Sequence, residues 1–433
     1  MSKFDCMIGY EFEKQELRQI ADVLKNKEAY EKLGVSSPKG LLLHGEPGVG
    51  KSLMAKALIE ESGRPSFICR KDRPNGDFIK AIKSTFTAAL RSAPSIVFLD
   101  DMDKFANGDE MRRDAEEYVT VQSCIDEIRG SEVFILATAN NIRHLPNSLI
   151  RAGRFDRTIE IEAPHGEDAE KIIAHYLGGK KFIGGIETKT IARILDGHSC
   201  AELETVINEA GLYAGYDRAE EITMDHFMKA CLRTVYDVTD SSLGAAEPRI
   251  DLSNRENPQA QTVYHEAGHA VLSEILCPES VTLVSMIGND HNHRGFTSYH
   301  CDRSMDSMSW KKSRILTSLG GMAALEQKYG LICDGSSNDL DHAFRHMRHL
   351  VNDLCVCGFN FYSYGEDSPE LQAKQEQATA TEIEKYYRMA KEILSVNADF
   401  FEKIAQALAQ KKLLTMGDVQ AIKADCKVTP FSL

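Results

Sequence analysis

Short apolar runs and longer amphipathic stretches alternate through the first part of the chain. Four apolar runs, at residues 41–44, 95–99, 133–137 and 158–161, have the length and composition of buried β-strands. Between them lie stretches with apolar residues at helical spacing, for example residues 78–91. Strands that alternate with helices favour a parallel sheet covered by helices, so we predict an α/β fold for this part.

The pattern changes to mostly helical after Pro164. Amphipathic stretches at residues 169–177, 201–216 and 224–234 predict a small helical subdomain. Residues 241–259 are polar and include Pro248 and Pro258, which is typical of a linker. We therefore predict four segments along the chain, with limits at 1–163, 164–240, 241–259 and 260–433.

The last of these segments also reads as chiefly helical. The exception is a pair of apolar runs at residues 281–286 and 295–299, which predicts two strands around a polar loop. A further amphipathic helix is expected at residues 378–396.

Composition narrows the classes of function. The net charge of −14 argues against non-specific binding to nucleic acid, which needs a basic surface, so we expect no nucleic-acid partner. No apolar run is long enough to span a bilayer, and the N-terminus lacks a signal-peptide core, so we expect no membrane anchor in this sequence. The 11 cysteines are scattered without a C-x-x-C pair, which indicates free thiols. Together these features predict a cytoplasmic protein.

A stretch of the form H-E-x-x-H lies in the second half of the chain, within apolar residues that favour a helix. His265 and His269 are four residues apart, so on a helix both imidazoles point to one side. Two imidazoles at this spacing can bind Zn²⁺, and Glu266 then lies where it can accept a proton from a water molecule at the metal. The pattern predicts a zinc hydrolase site that still needs a third ligand.

A glycine-rich loop between a predicted strand and a predicted helix matches the phosphate-binding pattern G-x-x-x-x-G-K-[ST]. It consists of Gly45, Glu46, Pro47, Gly48, Val49, Gly50, Lys51 and Ser52. Such a loop surrounds phosphates with backbone N–H groups at a helix N-terminus. Lys51 is expected to contact the β- and γ-phosphates of ATP, and the Ser52 hydroxyl to hold Mg²⁺.

Two acidic residues follow the second predicted strand. Asp100 ends a buried run, where a carboxylate comes next to the Mg²⁺, and Asp101 is placed to position the attacking water. The alternative is that both acids cap the helix that follows them.

These motifs resemble those of the FtsH-type ATP-dependent zinc metalloproteases, in which an AAA+ module is fused to a zincin-like peptidase. The resemblance extends from Phe4 to about Met416, in the order of the family. It implies an α/β P-loop AAA+ domain with a small helical lid subdomain, followed by a mostly α-helical zinc metallopeptidase domain. It also implies ATP with Mg²⁺, one Zn²⁺ per subunit, polypeptide substrates and a homo-hexameric ring.

The resemblance assigns further residues of the nucleotide site. Asn140 matches the sensor that reports on the γ-phosphate, and Arg151 and Arg154 match arginines that reach the nucleotide of a neighbouring subunit. A guanidinium supplied in this way stabilises charge in the transition state, so hydrolysis would depend on assembly. Ile8-Gly9 and His175 match positions that contact the adenine and ribose.

On the peptidase side, the resemblance makes Asp339 the third zinc ligand, and Ser336 or Ser337 can cap the helix in which it lies. The competing ligands are histidines on the same helix: His342, His346 and His349. A second metal site is the alternative function for a loop cluster: His291, His293, His300 and Cys301.

Several residues depart from the pattern of the family. Asp101 replaces a glutamate, which shortens the carboxylate arm and predicts slow ATP turnover unless the backbone compensates. The segment that threads substrate with an aromatic in the family is Pro74-Asn75-Gly76 here, with Phe78 as a nearby substitute. Cys200 stands in place of a glycine. The family's N-terminal membrane helices have no counterpart before Phe4, so we expect either a soluble relative, which Met1 favours, or a fragment of a longer chain.

The predicted function is an ATP-dependent zinc metalloendopeptidase that unfolds and degrades proteins, with substrate added as a strand beside residues 281–286. Two alternatives stay open. One is a zinc peptidase with weak ATPase that acts on unfolded chains. The other is an AAA+ remodelling ATPase or chaperone whose peptidase domain is a scaffold.

Overall fold

The computed structural model describes residues 2–34, 37–72, 74–106, 115–151, 153–182, 188–238, 250–288, 295–300, 307–332, 334–362 and 368–433. Its contacts divide the chain into two compact units, Met1–Phe227 and Met228–Leu433.

The first unit is built on a five-stranded parallel sheet in the order β2-β3-β4-β1-β5. Its strands are β1 (Gly40–His44), β2 (Ser66–Cys69), β3 (Ser95–Leu99), β4 (Val133–Ala139) and β5 (Arg157–Glu160). Two helices precede the first strand, α1 (Glu11–Lys25) and α2 (Lys27–Glu31). Three more connect successive strands: α3 (Lys51–Ser62), α4 (Asn75–Arg91) and α5 (Glu116–Glu127). The central strands β3 and β4 are buried along their whole length, because helices cover the sheet and continuous apolar runs suit such strands.

Helices continue the first unit after the sheet. They are α6 (Gly166–Leu177), α7 (Thr188–Ile194) and α8 (Cys200–Tyr216), and the next helix, α9 (Met224–Tyr236), contains the limit between the two units. The α/β fold with a helical extension is thus confirmed. Helices and strands of this unit that were not predicted from the sequence include α1, α2, β2 and α7. The β2 strand is a sheet edge with only Cys69 buried, and α7 is seven residues long.

The second unit is mostly helical. Its helices are α10 (Pro258–Leu276), α11 (Met308–Ser318), α12 (Gly320–Tyr329), α13 (Ser337–Arg348), α14 (Pro369–Val396), α15 (Ala398–Lys411) and α16 (Met416–Ala424). The α10 helix is central, since 14 of its residues are buried. It packs closely on α12, because a Cβ added to Gly320 would lie 2.9 Å from the carbonyl oxygen of Gly268. No described helix is both long and apolar enough to cross a bilayer.

A small antiparallel sheet accompanies these helices, in the order β7-β6-β8. The strands β6 (Val281–Ser285) and β7 (Phe296–Tyr299) confirm the predicted pair, and β8 (Leu413–Thr415) was not predicted. Since β8 pairs with the second side of β6, the expectation that substrate adds beside residues 281–286 is wrong. Within the described residues, the two outer strands of this sheet, β7 and β8, each have one free side.

Candidate active sites

The glycine-rich loop turns directly from β1 into α3. Gly45, Gly48 and Gly50 have positive φ angles of 146°, 83° and 99°, a region that favours glycine, so the sequence of the loop is required by its backbone. Lys51 is the first residue of α3 and is 5% exposed. Its Nζ donates to the carbonyls of Gly45 and Glu46 at 2.8 and 2.6 Å, and burial lowers its pKa. The ammonium group is thus held inside the curve of the loop, which also contains Pro47 and Val49.

Asp100 follows β3 at the carboxyl edge of the sheet and is 1% exposed. Its Oδ1 accepts from Ser52 Oγ at 3.1 Å and from Thr138 Oγ1 at 2.8 Å, and its Oδ2 forms an ion pair with Arg70. Burial raises the pKa of Asp100, but the hydrogen bonds from Arg70, Thr138 and Ser52 outweigh this and lower it. A buried carboxylate beside Ser52 fits a Mg²⁺ site. Arg70 and Thr138 are partners that sequence patterns did not reveal.

Asp101 and Asn140 extend this edge. Asp101 has a left-handed backbone (φ 54°), its N–H donates to Thr138 Oγ1 at 2.9 Å, and its carboxylate accepts from Lys104 at 2.9 Å. Asn140 directly follows β4, the strand between β3 and β1. The two residues therefore lie at the sheet edge that carries the phosphate-binding loop and Asp100.

The segment with Ile8 and Gly9 is fixed to α6, the helix whose last turn carries His175. Gly9 has a φ of 71°, and the N–H of Tyr10 donates to Asp168 on that helix at 3.0 Å. Cys200 lies nearby, with its Sγ 3.5 Å from the Tyr10 hydroxyl. His175 itself is exposed.

The two predicted trans-acting arginines have different surroundings. Arg151 is exposed. Arg154 is 5% exposed, and its guanidinium pairs with Asp126 at 2.8 Å and donates to the carbonyl of Ser148. In this conformation the Arg154 guanidinium is bound within its own subunit.

A second cluster of functional side chains lies on α10 and α13. Asn257 caps the N-terminus of α10, since its side chain accepts from the N–H of Gln259 at 3.0 Å. Asp339 lies in the first turn of α13. Its Oδ2 is 3.1 Å from His265 Nε2 and 3.3 Å from His269 Nε2. The structure thus brings the three predicted metal ligands together within 4.8 Å, the one such group in the described part of the chain.

The donor set fits zinc. The Nε2 atoms of the two histidines are 3.1 Å apart, and two imidazole nitrogens face each other so closely only around a proton or a metal ion. His269 Nδ1 is 2.7 Å from the carbonyl of Thr317, to which it donates, so the remaining lone pair of the imidazole lies on Nε2. Burial lowers the pKa of His269, but the Asp339 carboxylate outweighs it and raises the pKa to about 9. This local field favours a cation, and two imidazoles with one carboxylate leave a position open for catalysis.

Glu266 is directed to the same place and is 5% exposed. Its Oε2 accepts from Thr297 Oγ1, on β7, at 2.8 Å. The imidazole ring of His265 lies against Gly321 of α12. A side chain at this position would collide with the ring, because an added Cβ would overlap it. The roles of Thr297 and Gly321 could not be predicted from the H-E-x-x-H motif, because both residues are distant from it in sequence and contact it only in the folded chain.

The three ligands and Glu266 line a cleft of about 1120 Å³. The competing histidines stay outside the metal group: His342 and His346 line the cleft, and His349 pairs with Asp353 at 2.7 Å. Ser336 is at the N-cap position of α13, but its side chain makes no capping hydrogen bond, so the predicted serine cap at Ser336 is wrong. In the second predicted cluster, His291, His293 and Cys301 lie outside the described residues.

The segment expected to thread substrate, Pro74-Asn75-Gly76, forms the N-cap and the first two residues of α4 in the structure. Phe78 is fully buried, and its ring lies edge-on to Phe105 with centroids 4.9 Å apart. The suggestion that Phe78 replaces the missing pore aromatic is therefore wrong, because its ring belongs to the core.

Comparison with known proteins matches two families to separate parts of the chain. The family "ATPase family associated with various cellular activities (AAA)" matches residues 41–163, and "Peptidase family M41" matches residues 252–422. Proteins named ATP-dependent zinc metalloprotease FtsH, from Pelobacter propionicus and Ureaplasma parvum, are both 30% identical over 97% of this chain. The alignments cover 70% and 60% of those two proteins.

A mouse protein named ATP-dependent zinc metalloprotease YME1L1 is 28% identical over 97% of this chain, and the alignment covers 60% of its length. The chain thus spans less than two thirds of several of its relatives. The AAA family nevertheless matches the first half of the chain and the peptidase family the second. The alignments with the FtsH proteins cover nearly the whole chain. We conclude that the chain belongs to the family of FtsH-type ATP-dependent zinc metalloproteases.

Proposed function

We propose that this chain is an ATP-dependent zinc metalloendopeptidase that unfolds and degrades protein substrates. The observation that carries the proposal is the convergence of His265, His269 and Asp339 beside Glu266, in a chain that also holds Lys51 in a phosphate-binding loop. The first group serves peptide hydrolysis and the second serves ATP hydrolysis.

In peptide hydrolysis His265, His269 and Asp339 hold the zinc ion. When bound, zinc supplies Lewis acidity that polarises the scissile carbonyl. Glu266 acts as the general base, accepts a proton from the attacking water and delivers it to the leaving amine. Thr297 holds the Glu266 carboxylate toward the cleft, and Thr317 fixes the tautomer of His269.

Substrate binds along β7, whose free side faces away from β6. An extended peptide there pairs main chain to main chain, which gives weak dependence on sequence. Thr297 lies on this strand and contacts Glu266, so a peptide on β7 is brought next to the general base.

In ATP hydrolysis the loop Gly45–Ser52 binds the phosphates, Ser52 and Asp100 hold Mg²⁺, and Asp101 and Asn140 position the attacking water. Ile8, Gly9 and His175 contact the base and ribose. Arg151 and, after release from Asp126, Arg154 reach the nucleotide of the next subunit in a homo-hexamer. The exposure of Arg151 supports this arrangement. We place the assembly in the cytoplasm, where the described cysteines, none of which is in a disulfide, stay reduced.

A second candidate is a zinc peptidase with weak ATPase that acts on unfolded chains. Two observations favour it. The short carboxylate of Asp101 is paired with Lys104, and Phe78 is not available for threading.

One experiment distinguishes these two candidate functions. The rate of degradation is measured for a permanently unfolded protein and for a stably folded one, each with and without ATP. We expect wild type to degrade both with ATP, and Glu266→Gln to degrade neither while it keeps ATPase activity. Lys51→Ala should degrade the unfolded protein alone.

Degradation of the unfolded protein alone by wild type, with or without ATP, would support the second candidate. Degradation by Glu266→Gln equal to that of wild type would exclude both candidates. A wild type that degrades neither protein, but unfolds the folded one with ATP, would indicate a remodelling ATPase whose peptidase domain is a scaffold.

A further inference from the structure

The cleft around the metal ligands is lined by both acidic and basic residues. Glu266 and Asp339 are the acidic ones, and we call Arg314, His342 and His346 the wall. Arg314 comes from α11, and the two histidines come from α13, the helix that also carries Asp339. A polypeptide in the cleft lies near both sets of side chains.

Arg314 is the fixed positive charge of this wall. Its guanidinium carbon lies 4.9 Å from the centroid of the Tyr299 ring and 5.9 Å from that of Trp310. Aromatic faces hold a cation in place without neutralising it. In the described part of the chain no carboxylate forms an ion pair with Arg314, which is half-buried. The aromatic rings thus fix the position of the guanidinium at the cleft. It is partly shielded from solvent, and its positive charge is not neutralised by a carboxylate of the described residues.

The histidine beside it does not compete for the same role. Burial lowers the pKa of His346, and the positive charge of Arg314 lowers it further. His346 is therefore neutral at pH 7, where it serves as a hydrogen-bond donor or acceptor. A planar guanidinium next to a neutral imidazole is suited to bind a carboxylate with two parallel hydrogen bonds.

The position of Arg314 was not apparent in the sequence. It ends the run Lys311-Lys312-Ser313-Arg314, which reads as a solvated basic face of a helix. Lys311 and Lys312 do not line the cleft, whereas Arg314 does. Of these three cations, the helix thus directs Arg314 toward the cleft.

We propose that Arg314 forms a carboxylate-binding subsite, so that the peptidase prefers substrates with a carboxylate near the scissile bond. This inference rests on the proposed peptidase function and adds selectivity to it. The carboxylate comes either from an acidic side chain or from the C-terminus of the substrate, and both sources present the same chemistry to the guanidinium.

Cleavage of matched peptides tests the subsite in the full chain. Internally quenched peptides with Glu, Gln or Lys at each position around one cleavable bond are compared, with free and amidated C-termini. At one position we expect kcat/KM to be about 10-fold higher for the peptide that carries the carboxylate than for the matched neutral peptide. This factor corresponds to the free energy of one hydrogen bond to a charged group. Loss of the preference on Glu→Gln exchange assigns a side chain, and loss on amidation assigns the C-terminus.

Variants of the wall identify the group responsible. Arg314→Gln should abolish the preference, and Arg314→Glu should reverse it in favour of Lys peptides. Arg348→Gln is the matched control, because Arg348 also lies over an aromatic ring, that of Phe344 at 5.8 Å, but does not line the cleft. It should retain the wild-type preference. Thermal melting shows that each variant is folded.

Binding separates this inference from the proposed function. Labelled peptides are titrated against Glu266→Gln, alone and combined with Arg314→Gln. The carboxylate peptide should bind about 10-fold more tightly to the first protein and equally to the second. Equal binding to both proteins, or no binding, overturns the subsite. If discrimination in binding persists but wild type cleaves none of the peptides, the proposed function fails and the subsite stands.

Discussion

Thr297 Oγ1 lies 2.8 Å from Glu266 Oε2 and 3.3 Å from the carbonyl oxygen of the same residue. Thr297 is on β7, while Glu266 is on α10, so this hydroxyl joins the strand proposed to bind substrate to the proposed general base. A carboxylate held at one oxygen keeps the other free to accept a proton, in an orientation set by the sheet.

Replacement of Thr297 by Val should lower kcat for peptide cleavage by about 10-fold with little change in KM, because the shape of the side chain stays and only the hydrogen bond is lost. Thr297→Ser keeps the hydroxyl and should restore most of the activity. Steady-state cleavage of one peptide measures all three proteins. An equal loss in the Ser variant would indicate that packing, and not the hydrogen bond, is what matters.

Replacement of Gly321 by Ala should disable the peptidase and leave the ATPase intact. The added Cβ would collide with the His265 ring, so the imidazole must turn away from His269 and Asp339. We expect zinc affinity to fall by about 10-fold or more. Competition with a chromogenic chelator measures it.

Gly417→Ala is the control for this substitution, since a Cβ there meets its nearest atom, Thr415 Oγ1, at 3.7 Å, an ordinary contact. It should bind zinc like wild type. Unchanged zinc affinity of Gly321→Ala would mean that α12 moves aside at little cost.

Removal of the metal should destabilise the second unit specifically. Zinc binds the folded His265, His269 and Asp339 and not their unfolded arrangement, so it stabilises by about 2.7 kcal/mol when free zinc is 100 times its Kd. Calorimetry with and without chelator should show a lower Tm for one transition and no shift of the other. His269→Gln, already unable to hold the metal, should show no response to chelator. A response of equal size in that variant would place the metal elsewhere.

The central part of the fold was predictable because its signals are local. The strands β1, β3 and β4 are continuous apolar runs, since both faces of each strand are buried. The strand β2 is a sheet edge with only Cys69 buried, β8 has three residues, and the pairing of both depends on residues distant in sequence. Because β8 was not predicted, the substrate was expected beside β6, whose two sides are both occupied.

The same distinction applies to the sites. His265 and His269 follow from helical spacing, and Lys51 from a loop whose glycines the backbone requires. Asp339 is 70 residues beyond His269 and was indicated only by the resemblance to a family. Thr297 and Arg314 act through contacts across elements, which no local pattern encodes.

The two arginines of the proposed intersubunit contact should respond differently to replacement by Ala. Arg151→Ala removes an exposed guanidinium, so ATPase activity should fall by about 1000-fold while Tm stays unchanged. Arg154→Ala removes the hydrogen bond to Ser148 and the pair with the partly exposed Asp126, so it should also cost about 1–2 kcal/mol of stability. ATPase assays and thermal unfolding of both variants distinguish these effects.

Mixed assemblies test whether Arg151 acts in trans. Subunits with Arg151→Ala keep an intact loop, and subunits with Lys51→Ala keep Arg151. Each pure variant should be inactive, and a mixture should regain part of the ATPase activity. A mixture as inactive as its components would show that Arg151 serves its own subunit.

The length of the Asp101 side chain should determine the rate of ATP hydrolysis, because its carboxylate is proposed to position the attacking water. Glutamate at this position would extend the carboxylate by one methylene toward the attacking water, and we expect Asp101→Glu to raise kcat for ATP about 10-fold with little change in KM. The left-handed backbone (φ 54°) tolerates Asp better than Glu, so the variant should also lose about 1 kcal/mol of stability. These effects are separable, since turnover and unfolding are measured independently. Asp101→Asn keeps the length but not the charge, and should abolish turnover. A decrease of turnover in the Glu variant would mean that the Thr138 and Lys104 contacts already set Asp101 at the working distance.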